Sequence, residues 1–117
     1  MAKRAKRHAP GPCNVGDAVE AIGAGWKGDI LWHLREGPLR FMELRRRIPA
    51  ISPKVLTQAL RALEADGLLL REHHAEIPPR VEYSMTPLGR SAAGVLQAIA
   101  EWWRKHGGAV QDPALRK

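Results

Sequence analysis

Residues 37–67 decide the fold and read GPLRFMELRRRIPAISPKVLTQALRALEADG. Apolar residues recur at helical spacing over 41–48, and a proline then ends that helix. Ser52 is the predicted N-cap of a second helix. Pro53 is predicted to occupy its first position, where the missing N–H costs nothing. This helix runs to about Asp66, just before a glycine suited to the left-handed conformation. Two short helices joined by so tight a turn predict a helix-turn-helix.

The second helix has two chemically distinct faces. Apolar side chains at positions i, i+3, i+4 and i+7 face a core. They are Leu56, Ala59, Leu60 and Leu63. Polar side chains share the opposite side, and they are Lys54, Thr57, Gln58 and Arg61. Lysine and arginine pair with guanine, glutamine with adenine, and threonine with a phosphate or a thymine methyl, so this face suits the major groove of DNA. We expect Ser52 and Pro53, with the free N–H groups of the first turn, to lie at a phosphate oxygen.

Basic residues are concentrated in the same region. The chain carries a formal net charge of +7, and basic residues at its two ends account for all but one unit of it. Residues 39–61 nevertheless hold six basic side chains against one acid, Glu43. The six are Arg40, Arg45, Arg46, Arg47, Lys54 and Arg61. This concentration predicts contact with nucleic-acid phosphates, with the three consecutive arginines along the backbone, whereas the alternative is an ordinary solvated face.

Beyond the helix-turn-helix the pattern predicts a β-hairpin. Residues 68–73 and 81–85 are typical of strands, the second with period-two alternation. The loop between them contains two prolines followed by Arg80, which is typical of a wing that reaches toward a minor groove. Arg80 could instead pair with Glu76 or Glu82.

Further helices flank this core. A first helix is predicted from Asn14 to the glycines at 23 and 25, and a second spans 26–36. A last helix starts at Thr86-Pro87 and ends at Gly107-Gly108. The sequence therefore predicts a mainly α fold of the α+β type: a winged helix-turn-helix with a two-stranded wing and extra helices at both ends.

The composition is that of one ordinary globular domain. The 117 residues are 44% hydrophobic and 26% charged, which excludes a largely disordered chain. No apolar run approaches the ~18 residues of a membrane helix and no secretory signal is recognisable, so we expect a cytoplasmic protein. We predict a flexible basic arm at 1–12, the folded domain at 13–108 and a C-terminal tail at 109–117.

These motifs together resemble the HxlR-type winged-helix transcription regulators, relatives of the MarR group. The resemblance rests on residues 25–27, 30–31, 37–46, 48–57, 60–64, 67–68, 78–83, 86–89 and Trp102. It implies a homodimer on a pseudo-palindromic operator, with residues 52–61 as recognition helix and 75–80 as wing. It also implies that the first and last helices form the dimer interface. The alternative is that the apolar stripe of the last helix packs into the chain's own core. The interface residues would be Val15, Val19, Ile22, Val95, Leu96, Ile99, Trp102 and Trp103.

Cys13 is the single cysteine, so the chain can form no internal disulfide. Many members of the family that the chain resembles carry a thiol at this position, and some use it to sense electrophiles or oxidants. A helix N-terminus and a basic arm both favour the thiolate form. Cys13 is therefore a candidate thiol sensor, and the alternative is a small residue that packs. A crevice between the two dimerisation helices could also hold a small-molecule effector.

The sequence contains no pattern that indicates a metal site or a catalytic site. The five histidines show no metal-ligand spacing and no nucleophile–base pair is recognisable, so we expect no metal, no cofactor and no catalytic residue. We predict a sequence-specific DNA-binding transcription regulator, acting as a repressor. Its expected partners are double-stranded DNA, a second copy of itself, and a small molecule or electrophile. The alternative is a winged-helix module that binds protein or RNA without reading DNA sequence.

Overall fold

The computed structural model describes residues 14–115 as six α-helices and one β-hairpin. The elements are α1 Val15–Ile22, α2 Lys27–Leu34, α3 Phe41–Arg47, α4 Pro53–Ala65, β1 Leu69–His74, β2 Arg80–Met85, α5 Pro87–Ser91 and α6 Ala93–Gln111, with a final 3₁₀ turn Pro113–Leu115. Helices α3 and α4 form the helix-turn-helix, and β1 and β2 form the wing. The predicted winged helix-turn-helix is confirmed. Cys13 and the basic arm lie outside the described residues.

Helix α2 is the centre of the hydrophobic core. Its Ile30, Leu31 and Leu34 are almost completely buried, and the helix packs against α1, α3, α4, α6 and β2. The apolar side of α4 completes this core, because Leu56, Leu60 and Leu63 are buried as the periodicity predicts. Burying one such side chain stabilises the fold by about 1.5–3 kcal/mol. The core therefore fixes which side of α4 remains exposed.

Hydroxyl caps and a glycine define the ends of α4 and the start of α5. The Ser52 Oγ accepts the N–H three residues further on at 3.1 Å, and Pro53 occupies the first helical position. Gly67, just past α4, has φ +77°, which a residue with a Cβ rarely adopts. The Thr86 Oγ1 accepts the Gly89 N–H at 3.0 Å and donates to the Gly67 carbonyl at 2.6 Å. These contacts tie the end of the wing to its beginning.

The wing is an antiparallel pair whose two faces differ in chemistry. The register places the buried Leu69 opposite Met85 and, next along the same face, Arg71 opposite Tyr83. Since β1 also contacts α4, this face lies toward that helix. A single bridge to Leu39 extends the sheet: the Leu39 N–H donates to the Tyr83 carbonyl at 3.0 Å, and the Tyr83 N–H to the Leu39 carbonyl at 2.9 Å. Tyr83 is therefore held on both sides.

The C-terminal helical region differs from the prediction in two ways. It divides after Ser91, whose hydroxyl donates to the carbonyl three residues earlier at 2.5 Å and competes with the helical ladder. The predicted helix end at Gly107-Gly108 is wrong, because α6 continues to Gln111. A Cβ on the buried Gly107 would lie 2.8 Å from the Trp103 ring. The glycine thus makes room for an aromatic ring rather than ending the helix. The domain limits at 13 and 108 remain predictions.

Candidate nucleic-acid interface

Most of the polar side of α4 is exposed. Lys54, Gln58 and Arg61 are exposed, and none of their side chains forms a hydrogen bond or ion pair with another of residues 14–115. Thr57 is half-buried, and its hydroxyl donates to the Pro53 carbonyl at 2.8 Å. Three of the four predicted base-contacting side chains therefore keep all their hydrogen-bonding groups for a partner. The fourth offers mainly its methyl group.

The first turn of α4 is also exposed. Ser52 and Pro53 both lie at the surface. The Ser52 Oγ acts as an acceptor in the cap, so its own proton is still available to a phosphate oxygen. The helix dipole places partial positive charge at the same end. This arrangement can bind an anionic group, as the sequence predicts.

The arginines around α3 are not equivalent. Arg40 and Arg46 are exposed, and the Arg40 backbone N–H is fixed by the Glu43 carboxylate at 2.8 Å. Arg45 is only half-exposed, and its Nε is buried without a hydrogen-bond partner in the described part of the chain. Arg47 is exposed but lines a small cavity with residues 36–39 and His33, at the end of α2. Arg45 is therefore the least accessible of the three consecutive arginines for a backbone phosphate.

Arg80 does not present a free guanidinium. Its Nη2 lies 2.7 Å from Glu76 Oε2 and its Nη1 lies 2.7 Å from Glu82 Oε2, and its side chain is only 23% exposed. We call this arrangement of Arg80, Glu76 and Glu82 the wing clamp. The hydrogen bond from Arg80 lowers the pKa of the Glu76 carboxyl, and the same contact raises the pKa of Arg80. The sequence left open whether Arg80 reaches toward DNA or pairs with Glu76 or Glu82. In the unbound chain Arg80 is paired with both carboxylates.

Sequence reasoning missed two polar residues at the junction of α4 and the wing. A cavity of about 180 Å³ opens there, lined by Thr57, Leu60, Arg61, Glu64, Arg71 and Tyr83, and we call it the notch. Arg71 and Tyr83 lie in strands, whereas the sequence directed attention to the helix predicted to read DNA. The sequence does indicate the position of Arg71. It is two residues after the buried Leu69 in a strand, and it therefore lies on the same face.

Exposed apolar side chains lie on α1 and α6, outside the helix-turn-helix. We call the following six, which are between 46% and 68% exposed, the apolar face. They are Val15, Val19, Val95, Ile99, Trp102 and Trp103. Two predicted interface residues do not belong to it: Leu96 is 7% exposed in the chain's own core, and Ile22 packs against that core. Both therefore offer less exposed surface to a second copy than the other six, and their place in an interface remains a prediction.

Residues 14–115 contain no group of three metal-ligating side chains that could hold a metal ion. Within the same range, no helix combines the length and apolar character needed to cross a membrane.

Comparison with known proteins places this architecture in a family. The family model described as HxlR-like helix-turn-helix matches residues 21–111. An uncharacterized HTH-type transcriptional regulator of Methanothermobacter thermautotrophicus is 47% identical over 95 residues, which cover 81% of this chain and 72% of that protein. The redox regulator HypR in its reduced form superposes with a TM-score of 0.78 at 38% identity, covering 83% of this chain and 96% of that chain. Its oxidized form gives 0.76 at 41% identity, covering 80% and 96%.

The resemblance inferred from the sequence is thus confirmed by both the family match and the solved structures. The chain is a transcriptional regulator of the helix-turn-helix type rather than an enzyme, and it belongs to the HxlR-like helix-turn-helix family.

Proposed function

We propose that this protein is a homodimeric repressor that binds a pseudo-palindromic operator in double-stranded DNA. The observation that carries the proposal is the polar side of α4, where the exposed side chains of Lys54, Gln58 and Arg61 have no hydrogen-bond or ion-pair partner among residues 14–115. Arg46 on the preceding helix is exposed as well. Unpaired cationic and amide groups on a rigid helix are what base and phosphate contacts require. Helix α4 is the proposed recognition helix, and the cytoplasm is the proposed location.

Affinity and sequence choice come from different residues in this proposal. Arg40, Arg46 and the first turn of α4 contact phosphates, which supplies affinity that falls steeply with salt. Lys54 and Gln58 reach base edges, and each good base contact contributes about 1–3 kcal/mol of discrimination. The methyl group of Thr57 suits a thymine methyl, because its hydroxyl is occupied within the helix. Arg45, which is only half-exposed, adds to these backbone contacts.

The second copy is proposed to dock on the apolar face. Two tryptophans and four aliphatic side chains left exposed on α1 and α6 form a surface of the kind that subunit interfaces cover. A two-fold interface there would present two α4 helices to one side of the DNA. Successive major grooves on that side are ~34 Å apart, so the two half-sites should be centred about one helical turn from each other.

Cys13 is the proposed thiol sensor, although it lies outside the described residues. Similarity to HypR, a redox regulator, supports this assignment. As the single cysteine, it can form an adduct with an electrophile, or a disulfide with a small thiol or with the Cys13 of a second copy when an oxidant such as diamide takes up the two electrons and two protons. Replacement by serine should abolish any response of DNA binding to diamide or aldehydes. An unchanged response in the Cys13→Ser protein would eliminate the sensor.

A small-molecule effector has a candidate site beside the apolar face. A cavity of about 360 Å³ lies between α2, α6 and the α1–α2 connection, with Trp32, Leu96, Ile99 and Trp103 among its walls. This size lies within the range of small-molecule pockets. Because Ile99 and Trp103 belong to the apolar face as well, a bound molecule would influence how two copies pack.

The proposal is tested by titrating the purified protein with the DNA upstream of its own gene and with random duplex of equal length. Each titration is run at two salt concentrations, with the mass of the free protein measured by light scattering. A dimer that prefers the upstream fragment by ~10³ or more supports the specific regulator. A monomer that binds both fragments equally, with binding erased by salt, favours the alternative of a non-specific module.

A further inference from the structure

The notch between α4 and the wing has the shape and chemistry of an anion site. Arg61 lines it from the helix, Arg71 from strand β1 and Tyr83 from strand β2. Its volume of about 180 Å³ equals that of several water molecules, at roughly 30 Å³ each, so a phosphate group fits. Two cations and one neutral donor, together with the Glu64 carboxylate, therefore line a space of phosphate size.

Arg71 and Tyr83 can donate hydrogen bonds to a ligand in the notch. Arg71 has one counter-charge among the described residues, Glu64, at 3.7 Å between Nε and Oε1. Both side chains of this pair are more than one third exposed, so solvent screens the interaction and a stronger anion can replace the carboxylate. Burial raises the pKa of the Tyr83 phenol, which remains protonated at neutral pH. The Tyr83 hydroxyl has no hydrogen-bond partner within residues 14–115.

Tyr83 is also held in place before any ligand arrives. Its backbone is paired with β1 on one side and with Leu39 on the other, and its ring packs against the core. Arg71 lies directly across the strand pair from it. The two donors are therefore positioned by the sheet rather than by a mobile loop, which lowers the entropy cost of binding.

The geometry of DNA indicates what enters this space. One sugar–phosphate backbone separates a major groove from the adjacent minor groove. If α4 lies in the major groove and the wing reaches the neighbouring minor groove, that backbone must cross the junction between them. The notch is at this junction.

We propose that Arg71 and Tyr83 bind one backbone phosphate of the operator in the notch, with Arg61 adding positive charge from the helix side. This inference rests on the proposed function and adds a contact between its helix and its wing. The phosphate takes the place of Glu64 as the partner of Arg71, with which it can form two parallel hydrogen bonds. The contact sets the register of the wing relative to α4 and reads no base.

The test compares Arg71→Gln, Tyr83→Phe and the charge-matched control Arg104→Gln, which removes an exposed arginine on α6. Dissociation constants are measured by fluorescence anisotropy over a series of salt concentrations, on a preferred fragment and on random duplex. Arg71→Gln should weaken binding about tenfold or more on both DNAs and reduce the slope of log K against log salt by about 1. Tyr83→Phe should weaken binding without changing the slope, because the lost donor is neutral. Arg104→Gln should match the wild type.

A purely structural role for the notch predicts a different outcome. It would lower the melting temperature of Arg71→Gln while its salt slope remains that of the wild type, and this result would overturn the inference. Loss of affinity on the preferred fragment alone would also overturn it, since that indicates a base contact. If the wild type itself shows no salt-dependent DNA binding, the proposed function fails instead. Glu64→Gln should have the opposite effect on affinity. It removes a carboxylate that competes for Arg71, so binding to both DNAs should become stronger.

Discussion

The Arg80 guanidinium lies 2.7 Å from the carboxylate of Glu76, four residues earlier in the wing, and 2.7 Å from that of Glu82 in its own strand. A wing arginine held by two carboxylates carries no net attraction for a phosphate. For Arg80 to contact DNA, the wing clamp has to open. The acidic residues of the wing therefore oppose DNA binding through Arg80.

Removing one carboxylate should strengthen DNA binding. In Glu76→Gln the Arg80 guanidinium keeps one charged partner instead of two, so we expect tighter binding to both specific and random DNA. The slope of log K against log salt should become steeper by up to about 1. Glu101→Gln, which removes an acid from α6, controls for the change in net charge. Weaker binding by Glu76→Gln would mean that Glu76 instead orients Arg80 for its DNA contact.

The pH dependence of the wing clamp follows from the lowered pKa of Glu76. Because Arg80 stabilises the ionised carboxylate, the pKa of the folded state lies below its ordinary 4.5. The stabilisation by this pair is present above the unfolded pKa and is lost as the pH falls through the folded pKa. Carboxyl ¹³C NMR should show this lowered midpoint, which returns toward 4.5 in Arg80→Gln. A midpoint at 4.5 in the wild type would show that the wing clamp is absent in solution.

Sequence choice and general affinity should separate between two residues. Gln58→Ala removes a side chain on the exposed face of α4, so it should relax base preference at one position of each half-site by about 1–3 kcal/mol. Arg46→Ala should weaken binding to all sequences about equally, because it loses a phosphate contact. Competition binding against a set of single-base operator variants measures both effects. Equal losses on operator and random DNA for both proteins would contradict this division of roles.

Substitutions at two residues about one turn apart on α6, Leu96 and Ile99, should distinguish a loss of dimerisation from a loss of stability. Ile99 is 50% exposed on the apolar face, so Ile99→Glu should produce a folded monomer. Leu96 is 7% exposed, so Leu96→Ala should lower the free energy of unfolding by about 2–5 kcal/mol and leave the folded protein dimeric. Light scattering and chemical unfolding provide the two measurements. Dimers of unchanged affinity in Ile99→Glu would exclude this face as the interface.

Two glycines of the C-terminal helices should respond to alanine in opposite ways. A Cβ at Gly89 would collide with the backbone carbonyl oxygen of Leu68, so Gly89→Ala should destabilise the fold by about 1–3 kcal/mol or more. A Cβ at the exposed Gly94 of α6 meets no atom within 4 Å. Gly94→Ala should therefore stabilise the protein by about 0.5–1 kcal/mol through helix propensity. Equal midpoints of thermal unfolding for the two variants would refute the close approach at Gly89.

The sequence predicted the elements whose signals are local. Ser52-Pro53 and Thr86-Pro87 start helices as predicted, because a hydroxyl cap and a fixed φ act within one turn. The exposed polar face of α4 also follows from spacing alone. Gly107 misled the prediction, since a glycine that makes room for Trp103 cannot be distinguished by sequence from one that ends a helix.

The remaining differences depend on contacts between distant parts of the chain. The bridge from Leu39 to Tyr83 joins residues 44 positions apart, and no periodicity indicates it. Leu96 has the same helical spacing as the members of the apolar face, yet packing of α2 against α6 buries it. The pairing of Arg80 was one of two open alternatives, and only the fold of the wing decides between them.

Selection of genomic DNA fragments by the purified protein tests the central claim most directly. Fragmented DNA from the source organism is equilibrated with the wild type and with Gln58→Ala at physiological salt, and the retained fragments are sequenced. Sequence-specific recognition through α4 predicts enrichment of one two-fold symmetric motif, with half-sites about one helical turn apart and altered base preference in Gln58→Ala. Retention of fragments without any shared motif would contradict the account.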